Sequence, residues 1–247
     1  MTRALLVPLA AAALFACGPT AKDIRGAEIH HDLAVEDLRA NRPIDALKEY
    51  DEALKRNEAF PEAHLGRGIV LEFGFGRLED AEKEYRRALA LRPDYPEAHN
   101  NLGQLLAKTG RTSEALGQFD AALADLDYRE PYVARMNRGV TLWRMGRKEE
   151  GLADLRSCVN AAPAYCPGHR ELGRTLLQEN RLKEAVDAFT AYARACDRLA
   201  DAHLQLGLAR MRVGDVAGAR ASFLRCSELG AEAAEGTECR KSLNLLE

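Results

Sequence analysis

The sequence predicts an all-α fold: an α-solenoid of six helix pairs closed by a C-terminal cap helix. Three observations predict it. The 247 residues include 42 Ala and 35 Leu against 9 Val, 4 Ile and 8 Thr. Ala and Leu are strong helix formers and β-branched residues favour strands, which argues against a β-sandwich or a parallel-sheet α/β enzyme. A second feature is one motif written six times. Ala46 precedes Tyr50 by four residues, as Ala81 precedes Tyr85, Ala115 precedes Phe119, Gly151 precedes Leu155, Ala185 precedes Phe189 and Ala219 precedes Phe223, at intervals of 35, 34, 36, 34 and 34. The third is punctuation in the same register. Turn residues recur at Asn41, Gly76, Gly110, Gly146, Asn180 and Gly214, and Pro61, Pro96, Pro131 and Pro167 stand where a new helix starts and a missing N–H costs little.

The first element is the N-terminal segment. Arg3 is followed by an apolar run, Ala4 to Ala16, broken only by Pro8. Thirteen residues reach about 20 Å as a helix, short of a hydrocarbon core of about 30 Å, so the run reads as a signal peptide. It ends Leu14-Phe15-Ala16-Cys17, which resembles a bacterial lipobox. The resemblance implies cleavage before Cys17 and acylation of its thiol and new amine. Gly18 stands where inner-membrane lipoproteins often carry Asp, which points to the outer membrane. Two or three acyl chains anchor stably where one does not. Residues 1–16 are then a lipoprotein signal peptide and 17–26 a lipidated tether able to stretch about 30 Å.

The repeats follow over residues 27–231, divided at about 27–60, 61–95, 96–131, 132–165, 166–199 and 200–231. Upstream of each second helix lies a Leu-Gly or Arg-Gly pair ending at Gly68, Gly103, Gly139, Gly173 and Gly207, with Leu33-Ala34 in the first repeat. These small residues let the two helices of a pair approach closely, opposite Ala81 and its equivalents, while the large residue fills the gap to the next repeat. The pattern resembles the tetratricopeptide repeat, an antiparallel helix pair of about 34 residues. The resemblance implies right-handed stacking, because one pair cannot bury its apolar face alone. Residues 232–247, with Leu243, Leu245 and Leu246 among polar groups, fit a cap helix.

Thirty per cent charged residues with a net charge of −3 exclude nucleic-acid binding driven by a basic surface. No Gly-x-Ser-x-Gly elbow, Cys-x-x-Cys, His-Glu-x-x-His or phosphate loop occurs, so the chain reads as a non-enzyme with no small-molecule substrate. His64, His99, His169 and His203 take the family's Trp place. Stacked helices lie about 10 Å apart and a metal needs ligands at about 2 Å, so these rings read as packing groups, with no metal and no cofactor beyond the lipid on Cys17.

In the repeat family the first helices line a concave groove. Its places are held by Leu65, Ile69, Glu72 and Phe73 in the second repeat, by Met136, Val140, Trp143 and Arg144 in the fourth, and by Leu204, Leu208, Met211 and Arg212 in the sixth. The third and fifth repeats are polar there: Asn100, Gln104 and Lys108, then Arg170, Arg174 and Gln178. An exposed aromatic beside an Arg suits an anchor pocket for a partner helix or strand, so the groove around Phe73, Trp143 and Met211 is expected to bind an exported protein.

Once Cys17 is acylated, five cysteines remain. Cys158 and Cys226 end second helices, and each is followed, by 8 and 13 residues, by a Cys near the start of the next helix. The expected bridges are Cys158–Cys166 and Cys226–Cys239. Cys166–Cys196 is the rival, since the start and end of one antiparallel pair also meet, and buried free thiols are the third possibility.

Six repeats on an acylated Cys are similar to the type IV pilus secretin pilotins, the Tgl and PilF group. That resemblance implies an outer-membrane lipoprotein on the periplasmic face that helps PilQ-type secretin protomers insert and multimerise, touching the membrane through its acyl chains only. The repeat lipoprotein of the β-barrel assembly machinery and an adaptor for peptidoglycan hydrolases are the alternatives.

Overall fold

The computed structural model describes residues 18–246, which form thirteen helices and no strand. The expected signal peptide and Cys17 lie outside the described residues. The chain enters its first helix at once. Thr20 Oγ1 accepts from the Asp23 backbone N–H at 3.2 Å, and the Thr20 N–H donates to Asp23 Oδ2 at 3.1 Å. This reciprocal cap starts α1 at Ala21 (Ala21–Arg39). Helix α1 thus begins inside the span 17–26 expected as a tether: of the described residues only 18–20 precede it, and 21–26 form its first turns.

Helices then follow in antiparallel pairs. Helix α2 (Pro43–Arg56) pairs with α1, and α3 (Pro61–Ile69) with α4 (Leu78–Leu91). Next come α5 (Pro96–Lys108) with α6 (Thr112–Ala124), then α7 (Pro131–Arg144) with α8 (Lys148–Ala161). Helix α9 (Cys166–Gln178) pairs with α10 (Leu182–Ala195), and α11 (Ala200–Arg212) with α12 (Val216–Leu229). The cap, α13 (Ala234–Asn244), packs on both α11 and α12. Each second helix also packs on the first helix of the next pair, which builds a solenoid of six pairs.

The turns sit where the sequence places them. Asn41 and Asn180 both adopt φ 56°, and Gly76, Gly110, Gly146 and Gly214 lie at φ 67–86°. A positive φ costs Gly nothing and Asn little, which is why only these two residue types occupy the position. The large residue of each motif is the core. Tyr50, Tyr85, Phe119, Leu155, Phe189 and Phe223 are each at most 2% exposed, and full burial of such a side chain contributes roughly 1.5–3 kcal/mol.

The partner of the recurrent glycine differs from expectation. A Cβ on Gly103 or Gly173 would stand 2.6 Å from the Phe119 or Phe189 ring. The glycine of the first helix therefore accommodates the aromatic ring of its own second helix. Repeat four lacks the aromatic, and there Gly139 approaches the Gly151 backbone instead, a Cβ on it falling 2.9 Å from Gly151 O.

The cysteine pairing is corrected in part. Cys226 and Cys239 are bridged, tying α12 to the cap with Cα atoms 6.1 Å apart. Cys166 pairs with Cys196, not with Cys158, at a Cα separation of 6.0 Å. The start of α9 and the end of α10 meet because the pair is antiparallel. Cys158 is instead sealed inside, with Sγ in the notch left by Gly168, 2.8 Å from where a Cβ would stand, and it keeps a free thiol. Burial pushes that thiol's pKa up to about 11.

Candidate functional site: a concave groove across four repeats

The groove begins with a spacing anomaly. Gly103, Gly139, Gly173 and Gly207 each precede the motif's small residue, Ala115, Gly151, Ala185 or Ala219, by 12 residues, whereas Gly68 precedes Ala81 by 13. The additional residue is taken up as a π-helical turn, Val70–Gly74, at the end of α3, where wider i→i+5 bonding accommodates it. The turn buries Val70, Leu71 and Glu72 and leaves Phe73 65% exposed.

Glu72 is a buried acid with two partners. Tyr85 Oη donates to its Oε2 at 3.1 Å, and Lys108 Nζ lies 3.4 Å from Oε1. Burial and the Glu72 charge hold the Tyr85 phenol well above its ordinary pKa, so it remains a donor. Lys108 Nζ also stands 5.8 Å from the centre of the Phe73 ring, within cation–π range. The π turn, α4 and α5 are thus joined around one carboxylate.

Beside this turn lies a cavity of about 490 Å³, walled by α5, α7 and α9. Phe73, Met136, Val140 and Arg144 line it together, with Gln104, Lys108, Arg170 and Arg174 from the polar strips. Its depth comes from stacking: four successive first helices turn the same register positions inward, and Phe119 closes the floor. Asn137 Nδ2 donates to Asn100 Oδ1 at 2.9 Å, fixing α7 to α5. Glu171 sits 3.5 Å from both Arg170 and Arg174.

The other expected groove residues are elsewhere. Leu65 is buried and Ile69 packs beside it in the core shared with α4 and α5. Trp143 is half-buried, and its Nε1 donates to Glu179 Oε1 at 2.9 Å. Lys148 Nζ reaches the same carboxylate at 3.0 Å and, with Trp143, holds its pKa below the usual range. Trp143 is therefore a tie between repeats four and five. Leu204 and Leu208 pack with Leu243 and Leu246, under the C-terminal cap. Met211 is 39% exposed and lies outside the cavity. The cavity thus groups Phe73 with Met136, Val140 and Arg144, while Trp143 is held by Glu179 of the next repeat and Met211 stays exposed outside it.

The recurrent histidines serve the stack. His64, His99, His169 and His203 each donate from Nε2 to the carbonyl six residues earlier, on Glu58, Pro93, Pro163 and Asp197, at 2.8–3.0 Å. Each ring thereby bonds its first helix to the turn that follows the preceding second helix. Among the described residues no group of three His, Cys, Asp or Glu side chains could hold a metal ion, and no helix is long and apolar enough to cross a membrane.

A stack of helix pairs presenting an open, lined groove is a protein-interaction scaffold. Comparison with known families identifies its type. Residues 75–110 match a TPR repeat family, and residues 136–200 and 170–234 match a tetratricopeptide repeat family. The chain is a tetratricopeptide-repeat protein. It is similar to the crystal structure of PilW, described as a widely conserved type IV pilus biogenesis factor, at 27% identity over 86% of this chain and 97% of that one, with a TM-score of 0.76. PilF of Pseudomonas aeruginosa superimposes with a TM-score of 0.72 over 90% of this chain and 99% of that one, at 19% identity, a likeness of fold alone. A rat protein, DnaJ homolog subfamily C member 3, is 33% identical over 88 residues, which span 36% of this chain and 17% of that protein. The chain is an adaptor-type repeat protein similar to type IV pilus biogenesis factors.

Proposed function

We propose that this protein is a lipid-anchored adaptor that binds a PilQ-type secretin of the type IV pilus and promotes its insertion and multimer assembly at the outer membrane. The observation that carries the reading is the likeness to PilW, which covers 86% of this chain and 97% of that one. Acylated Cys17 holds the solenoid on the periplasmic face. Because α1 starts at Ala21, the first repeat stands within about 14 Å of the acylated residue. The groove then captures a secretin protomer close to the bilayer and raises its effective concentration there. Nothing turns over.

Deletion of the gene, followed by an assay for secretin multimers in outer membranes, tests the reading. Loss of multimers with normal porin levels is expected, as is the same loss with Cys17→Ser. Multimers that persist without the protein would remove it, and defective porins would favour a role in β-barrel assembly.

A further inference from the structure

The groove has a charge pattern opposite to that of the whole chain. The protein carries a net charge of −3, yet its cavity is lined by four cations, Lys108, Arg144, Arg170 and Arg174, against two carboxylates. Both carboxylates are engaged. Glu72 is held by Tyr85 and Lys108, and Glu171 lies between Arg170 and Arg174. The cations are not saturated in return. Arg144 is exposed and forms no hydrogen bond or ion pair among the described residues. The Nε of Arg170 is buried without a hydrogen-bond acceptor, its Glu171 contact at 3.5 Å being too long and misaligned to serve.

We infer that the groove's occupant is an acidic segment of the partner protein, with two or more Asp or Glu side chains flanking one large apolar side chain. The inference rests on the groove being the docking surface and adds the chemistry of what docks. A guanidinium offers a planar fork of donors that a carboxylate matches with two parallel bonds. Arg144 and Arg174 are placed to receive such groups. The apolar side chain enters against Phe73, Met136 and Val140, where an exposed ring beside a wall of aliphatic groups makes an anchor pocket. A neutral segment would cover the exposed Arg144 guanidinium without supplying an acceptor, which costs free energy on closure, and a basic one would add like-charge repulsion.

Fluorescence anisotropy on the full-length protein in detergent tests this with three dye-labelled peptides. All share a single central Phe, flanked by glutamates in one, by glutamines in the second and by lysines in the third. The glutamate peptide is expected to bind at least about tenfold tighter than either, and to weaken as salt rises. Arg144→Glu with Arg174→Glu, checked for fold by circular dichroism, is expected to reverse the order of the glutamate and lysine peptides. Absence of glutamate-peptide binding, equal binding of the three, or indifference to the double substitution overturns the inference. If that happens while Phe73→Ala still abolishes secretin capture, the groove remains the docking surface and only the proposed chemistry falls. If Phe73→Ala also leaves capture intact, both fall.

Discussion

Repeats two and six place apolar side chains at matching positions of their first helices, yet the two ends of the solenoid treat them in opposite ways. In repeat six, Leu204 and Leu208 are packed with Leu243 and Leu246 of the C-terminal cap region, so the strip ends in a sealed wall. In repeat two, Leu65 and Ile69 are taken into the core by α4 and α5, but Phe73 lies in the π turn and stays 65% exposed. Register alone therefore does not make a binding residue. The next element in the stack decides whether a side chain is covered.

The sharpest way to break this comparison is to damage both ends equally. Phe119 and Phe223 are matching core residues, at most 1% exposed, and each fills the space above the glycine of its own first helix. Replacement of either by Ala is expected to cost about 3–5 kcal/mol, read by urea unfolding. Only Phe119→Ala should also lose secretin capture, because Phe119 floors the groove. If Phe223→Ala abolishes capture while the fold is retained, the separation of an open groove from a sealed end is wrong.

The next effect is at the sealed end itself. Cys226→Ser with Cys239→Ser removes a bridge that closes 13 residues, worth about 3 kcal/mol on loop-closure grounds. Limited proteolysis should then cut earlier within 230–246, while capture is retained. At the open end, Tyr85→Phe removes a donor from the buried Glu72 carboxylate and should cost about 1–3 kcal/mol in urea unfolding. Because Glu72 and Phe73 share the π turn, this variant should also weaken capture, which the cysteine variant should not.

Most of the architecture is legible in the sequence because a solenoid repeats its solution. Each turn residue, each helix-start proline and each large core residue is stated several times, so one ambiguous copy, such as Leu155, is read from the others. What happens once is harder to read. The Trp143–Glu179 tie joins residues 36 apart through the stacking of two repeats, and Trp143 alone looks like an exposed anchor. Cys166 has two reachable partners in a repeat array, and the choice turns on Cys158 pointing into Gly168. Two other features do carry a signal. The Thr20-x-x-Asp23 box announces a helix start inside the expected tether, and the interval of 13 between Gly68 and Ala81, against 12 elsewhere, announces the π turn.

The smallest change in stability should accompany the largest specific change in function. Phe73 is exposed, and its ring faces the Lys108 ammonium at 5.8 Å. Phe73→Ala should therefore shift unfolding by no more than about 0.5 kcal/mol while sharply reducing capture of secretin, measured by co-purification from detergent-solubilised membranes. Deletion of Gly74 asks the same question without removing the ring. It restores the 12-residue spacing of the other repeats, so the π turn should relax to α-helix and turn Phe73 by about 100° around the axis. Capture should fall although every groove side chain is still present. Retained capture in the deletion, with loss in Phe73→Ala, would show that the ring matters and its placement by the π turn does not.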